Sequence, residues 1–181
     1  MPKDPRYERW RWRVFAATWI AYAGFYLTRK SLAVAKVGMV GDPSLNLSNE
    51  MLGYIDGAYL ATYMLGQFIW GPIGDRLGAR KVVTFGLVGA VVTTIVTGNA
   101  TTFPAFLGLN ALHGLFQASG WAPLNKAMSS WFSRRERGWI MGWWCTNYAV
   151  GGLIASPFAG IMAGPSFFSD WRFAFWVPAL S

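Results

Sequence analysis

At 181 residues, with 54% hydrophobic and only 13% charged side chains, the chain is too apolar for a soluble globule. Its net charge of +8 is carried in the gaps between apolar stretches, not in a patch on a solvated domain, which argues against nucleic acid as a partner. The single cysteine, Cys145, excludes an internal disulfide framework and a cysteine-rich metal site, and no cofactor or metal is expected.

A spanning helix needs about 20 mostly apolar residues. In chain order, the Arg-rich segment 1–13 precedes five stretches of that kind, at about 14–38, 51–74, 81–100, 103–131 and 138–163. The first is too long for a signal-peptide core and is read as a retained span. A sixth stretch, 171–181, has 11 residues; at about 1.5 Å each these cover roughly half of a hydrocarbon core about 30 Å thick, so the chain reads as a fragment. The fold class expected is an all-α membrane protein with five complete transmembrane helices and the start of a sixth, the bundle occupying 14–181. In the fifth span Gly152, Ser156, Gly160 and Gly164 form a small-residue stripe that lets another helix approach closely.

Lysine and arginine collect on cytoplasmic flanks of membrane spans. Here they are Lys3, Arg6, Arg9, Arg11 and Arg13 before the first span, Arg76, Arg80 and Lys81 after the second, and Arg134, Arg135 and Arg137 after the fourth. The intervening connections, 41–50, 98–102 and 164–170, contain none. This asymmetry predicts a cytoplasmic N-terminus on an integral, multi-pass membrane protein.

Two cations, Arg29 and Lys30, lie inside the first span. A cation at the bilayer centre costs about 2.5–3.5 kcal/mol even on the lenient insertion scale, so such residues usually face a protein interior or a watery pathway. On an ideal helix Tyr22, Tyr26 and Arg29 lie within about 60° of one another, whereas Lys30 is turned about 100° from Arg29. A guanidinium pairs with phosphate oxygens through parallel hydrogen bonds, and phenols add neutral donors. Arg29 ranks first as an anion ligand against the alternative of a span-end cation reaching the far headgroups. For Lys30 the two readings stand level, and Lys36 reads as an outer anchor. In the second span Asp56, Tyr63 and Gln67 fall within about 40° of a common face expected to line the same cavity. Asp56 can pair with Lys30 or Lys36, or reach the outer surface. His113, the only histidine, shares a face with Gln117 and Trp121; packing and proton coupling are both open to it. Trp121 is a candidate for the cavity wall.

Between spans two and three, Gly71-Pro72-Ile73-Gly74-Asp75-Arg76-Leu77-Gly78-Ala79-Arg80-Lys81 resembles the signature loop of the major facilitator superfamily. Its glycines suit a tight turn and close helix contact, and Asp75 can cap a helix or pair with a cation, Lys126 being the candidate. The resemblance implies a gate-latch role for Asp75, while Arg80 can equally be a plain cytoplasmic anchor.

Further segments narrow the likeness: Tyr26-Leu27-Thr28-Arg29-Lys30, the run from His113 to Pro123, Trp131-Phe132-Ser133, Glu136-Arg137-Gly138 and Val150-Gly151-Gly152. Together they resemble the organophosphate:phosphate antiporters, the glycerol-3-phosphate and hexose-6-phosphate carriers. The resemblance implies the N-terminal six-helix half of a twelve-helix secondary transporter, no enzyme, exchanging a phosphorylated metabolite for inorganic phosphate by alternating access. Its partners would be those two anions, the bilayer and a C-terminal half that supplies an opposing cation. Tyr63 and Gln67 match the family's substrate contacts, although Gln67 stands where glycerol-3-phosphate carriers have lysine. Tyr148 stands at the place of the family's substrate-linked histidine. A sugar-phosphate sensor on the same fold and a facilitator for another organic anion are the competing readings.

Overall fold

The computed structural model describes residues 4–164 and 167–181, so Lys3 of the basic N-terminal segment and positions 165 and 166 of the connection before the last stretch lie outside the described residues. The described residues form nine helices and no strand: α1 (Pro5–Arg29), α2 (Ser31–Val40), α3 (Asn49–Leu77), α4 (Ala79–Thr97), α5 (Phe103–Gln117), α6 (Trp121–Trp131), α7 (Arg134–Trp144), α8 (Thr146–Ala163) and α9 (Phe173–Leu180).

Three of the long apolar stretches are each made of two helices. In the first, α1 gives way to α2 at Lys30, whose N–H still bonds the Tyr26 carbonyl at 3.1 Å, so the interruption is a tightened turn. Between α5 and α6 the cause is Pro123. It has no N–H to offer, and its ring crowds the carbonyl four residues back, that of Ser119. The chain there passes through tighter bonds from Ser119 N to Phe116 O and from Gly120 N to Gln117 O. Between α7 and α8 the Thr146 hydroxyl bonds the Trp143 carbonyl at 2.7 Å, beside the turn at Cys145. Among the described helices α4 alone is long and apolar enough to cross a membrane by itself.

The motif loop shrinks to a single residue. Helix α3 opens on Ser48, whose hydroxyl accepts from Met51 N, and closes at Gly78, with α4 starting at the next position. Gly78 has φ +85, a conformation an L side chain rarely adopts, which is why glycine is needed. Gly74 serves close approach: a Cβ there would lie 2.9 Å from Pro123 on α6. Gly71 faces open space.

Helix α3 packs along α5, α5 against α4, and α1 against α8. The small-residue stripe on α8 is not where contact is tightest. A Cβ on Gly151 would meet the Ala23 backbone at 3.1 Å, whereas on Gly152 it would have ordinary contact with Tyr26 and Lys30, and on Gly160 with Val34. One indole bond adds to this seam, Trp19 Nε1 to Thr146 Oγ1 at 3.1 Å, and a second, Trp144 Nε1 to Thr18 Oγ1 at 3.0 Å, ties the end of α7 to α1.

The interior has two apolar clusters. One gathers Leu32, Met39, Ile55, Phe106 and Phe175. The other gathers Phe25, Leu124, Met128, Phe132 and Trp144. Along α1, α4 and α5 the residues between the two clusters are polar: Thr28 and Arg29, then Thr93, Thr94 and Thr97, then Asn110, His113 and Gln117. The outside is apolar, with Val37 84%, Phe68 76% and Leu153 73% exposed. Such an exterior is stable against lipid or further protein, not water.

Candidate functional site

The final turn of α1 carries Arg29 into this polar belt. Its guanidinium carbon lies 4.9 Å from the centre of the Tyr63 ring, 5.3 Å from Tyr26 and 5.8 Å from Tyr59. Three electron-rich faces around a weakly hydrated cation stabilise it where an isolated charge would be costly. Tyr22, one turn below Tyr26, is buried against Trp121 at 5.3 Å and Trp144 at 5.8 Å between ring centres.

A pocket of about 420 Å³ is lined by Tyr22, Tyr26, Arg29, Tyr63, Gln67, Trp121 and Tyr148. These are all of the expected ligand positions except Lys30. The Gln67 amide nitrogen is buried there without a hydrogen-bond partner. Leaving a buried donor unpaired costs about 1–3 kcal/mol, which a small reorientation toward the pocket would relieve by meeting water or a ligand. Tyr148 is half exposed on the opposite wall. One guanidinium, phenol hydroxyls and an unpartnered amide, with no carboxylate in the lining, are chemically suited to an oxyanion.

Lys30 departs from this group. Its stem lies beside Gly152 of α8, and the residue borders a second cavity of about 240 Å³ that Arg29 also lines. That second cavity contains Asp56, so the expectation that Asp56, Tyr63 and Gln67 would line one cavity is corrected: the α3 face is long enough to pass from one cavity to the other. Asp56 forms an ion pair with Lys36 of α2. Of the partners open to Asp56 it takes Lys36, and its own side chain stays half exposed.

His113 is packed. Its Nδ1 lies 3.0 Å from Thr93 Oγ1, its Nε2 lies 3.2 Å from Gln117 Nε2, and its ring tilts against Tyr59 at 5.8 Å. Gln117 in turn donates to Phe25 O at 3.0 Å and Thr28 Oγ1 at 2.9 Å. The Phe25 carbonyl can only accept, which fixes the amide orientation. This network ties α4 and α5 to the turn that bears Arg29.

At the other end Lys126 Nζ meets Asp75 Oδ1 at 2.5 Å, joining α6 to α3. Both side chains are more than half exposed, so the pair contributes only about 0–1 kcal/mol to stability. Arg76 and Arg80 are exposed. Arg11 is the buried cation here, bonded to Glu8 at 2.6 Å and Glu136 at 2.9 Å and stacked on Phe132.

Sequence reasoning passed over two features. Tyr59 belongs to the rings around Arg29; its position three residues after Asp56 and four before Tyr63 was the available signal. Asn147, fully buried beside the α1–α8 seam with neither amide atom partnered, was legible in the sequence only as a departure from the pattern of the resembled antiporters, not as a buried polar group.

The sequence profile of the Major Facilitator Superfamily matches residues 16–181. The chain is 29% identical to the probable hexose phosphate transport protein of Chlamydia trachomatis, over 97% of its own length and 37% of that protein's. It is 33% identical to the glycerol-3-phosphate transporter of Bacillus subtilis, over 98% and 40%. It is also 33% identical to the membrane sensor protein UhpC of Salmonella typhimurium, over 98% and 39%. The chain thus spans about two fifths of the length of the curated relatives it matches.

Proposed function

Because the chain belongs to the major facilitator superfamily, we propose that it forms one helix bundle of an integral membrane carrier for phosphorylated metabolites, exchanging them for inorganic phosphate by alternating access. The observation that carries the reading is the pocket in which Arg29 is faced by Tyr26 and Tyr63 beside the unpartnered Gln67 amide. Arg29 clamps the phosphoryl group, the phenols of Tyr22, Tyr26 and Tyr63 with Gln67 donate to its remaining oxygens, and Trp121 and Tyr148 shape the wall. A second bundle in the full-length protein closes the pocket and contributes the opposing cation; sites of this kind lie between repeat-related halves. The Asp75–Lys126 pair acts as a latch at the cytoplasmic end, and the N-terminus is cytoplasmic. Gln67 in place of lysine and Tyr148 in place of histidine leave this site less positive than that of the glycerol-3-phosphate carriers it resembles.

The test is exchange by the full-length protein in proteoliposomes. Labelled glycerol 3-phosphate or hexose phosphate should enter faster when inorganic phosphate is trapped inside, and Arg29→Ala should abolish the exchange. Wild-type protein that shows no phosphate-stimulated flux of either metabolite would overturn the exchange reading. A sensor is the second reading, favoured by the 33% identity to a protein named as a membrane sensor. Saturable binding without flux would establish it instead.

A further inference from the structure

Helix α1 ends at Arg29, the cation of the pocket, and at Lys30 the backbone ladder tightens into a bond shared between the Thr28 and Tyr26 carbonyls. A turn at such a break is less firmly set by its own helix than one in the interior, and a small swing there is carried to the tip of a long side chain. The surrounding tyrosines do not set the direction by themselves. A ring face accepts a cation anywhere within about 6 Å of its centre, so it holds the charge without fixing the plane of the guanidinium fork.

One side chain outside the pocket reaches this turn from another span. Gln117, the last residue of α5, is buried and donates through Nε2 to Phe25 O at 3.0 Å and to Thr28 Oγ1 at 2.9 Å. Thr28 passes the bond on to Phe25 O at 3.2 Å. The third neighbour of the amide nitrogen is His113 Nε2, at 3.2 Å. That nitrogen has only protons to offer, so His113 Nε2 accepts and the ring proton lies on Nδ1, toward Thr93 Oγ1. Turned over, the carboxamide would set its oxygen against the Phe25 carbonyl. It has one orientation, and that orientation grips α1.

The base from which Gln117 acts is itself wedged. Ala118 and Ser119, which follow it in the break before α6, are fully buried. A Cβ on Gly66 of α3 would lie 2.6 Å from the Ala118 Cβ, and one on Gly86 of α4 would strike Ser119. Gly120 admits the Phe25 ring, to which a Cβ there would come within 2.8 Å. Neighbouring helices therefore hold the break still, and the carboxamide that precedes it holds the turn before Arg29.

We propose that Gln117 is a positioning residue for anion binding: from α5 it fixes the Phe25–Thr28 turn so that the Arg29 guanidinium presents its fork to the pocket. The inference rests on the reading of that pocket as a phosphate site and adds the residue that orients its cation. Gln117 is not among the residues lining the pocket, so it acts through Arg29 and not on the ligand.

The test is a double-mutant cycle on the full-length protein, read as the equilibrium affinity for inorganic phosphate. Gln117→Met keeps the bulk of the side chain and removes the donor. Thr28→Val removes the acceptor on the α1 side, so either variant serves if the other does not fold, which the unfolding temperature reports. With Arg29 present, each should weaken phosphate binding roughly three- to tenfold, as members of one hydrogen-bonded network do. In an Arg29→Lys background, where there is no fork to orient, each should change the affinity by less than about twofold. Equal losses in both backgrounds would reduce Gln117 to packing and overturn the proposal, as would an undiminished affinity with Arg29 present. Wild-type protein that binds no inorganic phosphate would instead remove the reading on which the proposal rests.

Discussion

Arg29 shows how much one residue's role depends on direction. Its guanidinium points at tyrosine faces on α1 and α3, while its neighbour Lys30 runs along α8. The 100° step between successive helical residues already separates the two. What the step cannot give is which neighbours each cation meets, since Tyr59 and Tyr63 are about thirty residues away in sequence. If Arg29 binds phosphate through its planar fork, Arg29→Lys keeps the charge and loses the paired geometry. The expected cost is about 1.5–3 kcal/mol, which corresponds to roughly a ten- to hundredfold higher Kd for phosphate, read by equilibrium binding. An unchanged Kd would mean that charge alone matters at this position. Tyr59 was legible only in part: its place on the α3 face follows from spacing, but in an aromatic-rich stretch a tyrosine reads as packing until the cation beside it is located. Likewise Asp56 could choose among partners, and the approach of α2 to α3 selected Lys36.

At the scale of elements, one proline marks where a long stretch divides, while Pro72 and Pro157 lie inside undivided α3 and α8, and glycines set where helices touch. The stretch 103–131 read as one span, but Pro123 in the first turn of α6 cannot donate to Ser119, and the chain divides at 118–120. Glycine is harder to read, because the same residue serves a turn at Gly78, close contact at Gly74 and neither at Gly71. The tightest backbone contact is at Gly114 of α5, where a Cβ would lie 2.4 Å from the Tyr59 carbonyl oxygen on α3. Backbone cannot swing aside as a side chain can, so Gly114→Ala must push α3 and α5 apart and displace Tyr59. It should destabilise the protein by about 1–3 kcal/mol. Gly108→Ala, on the same helix with nothing within 4 Å, should be neutral or stabilising by up to about 1 kcal/mol. Denaturant or thermal unfolding of the two variants side by side makes the comparison, and equal effects would show that the α3–α5 seam yields.

For the whole molecule, the arrangement is two apolar clusters separated by a polar belt, inside a surface that is itself apolar. Such a body is inverted relative to a soluble domain. Arg29 in the belt and Arg172 beside Asp42 at the far end are exceptions, but most of its arginines gather at one end. If that end is cytoplasmic, a membrane-impermeant thiol reagent applied to intact cells should label Thr101→Cys and not Arg135→Cys, both in a Cys145→Ser background; the opposite pattern would reverse the proposed orientation. Both positions are exposed, so protection reflects sidedness and not burial.

The sequence by itself determined the class of the molecule, its apolar stretches, the one-sided distribution of cations and the stripe of tyrosines that ends at Arg29. These are properties of composition and helical period, which act within a single element. The tertiary structure alone decided that the tyrosine stripe and the α3 ridge face each other around that guanidinium. It also decided that Asp56 belongs with Lys36, that His113 is locked through Gln117 to α1, and that Arg29 borders two spaces instead of one. Each of those outcomes depends on the crossing of helices distant in the chain, and so on close packing at residues such as Gly114 and Gly151, where a single methyl group would change the distance.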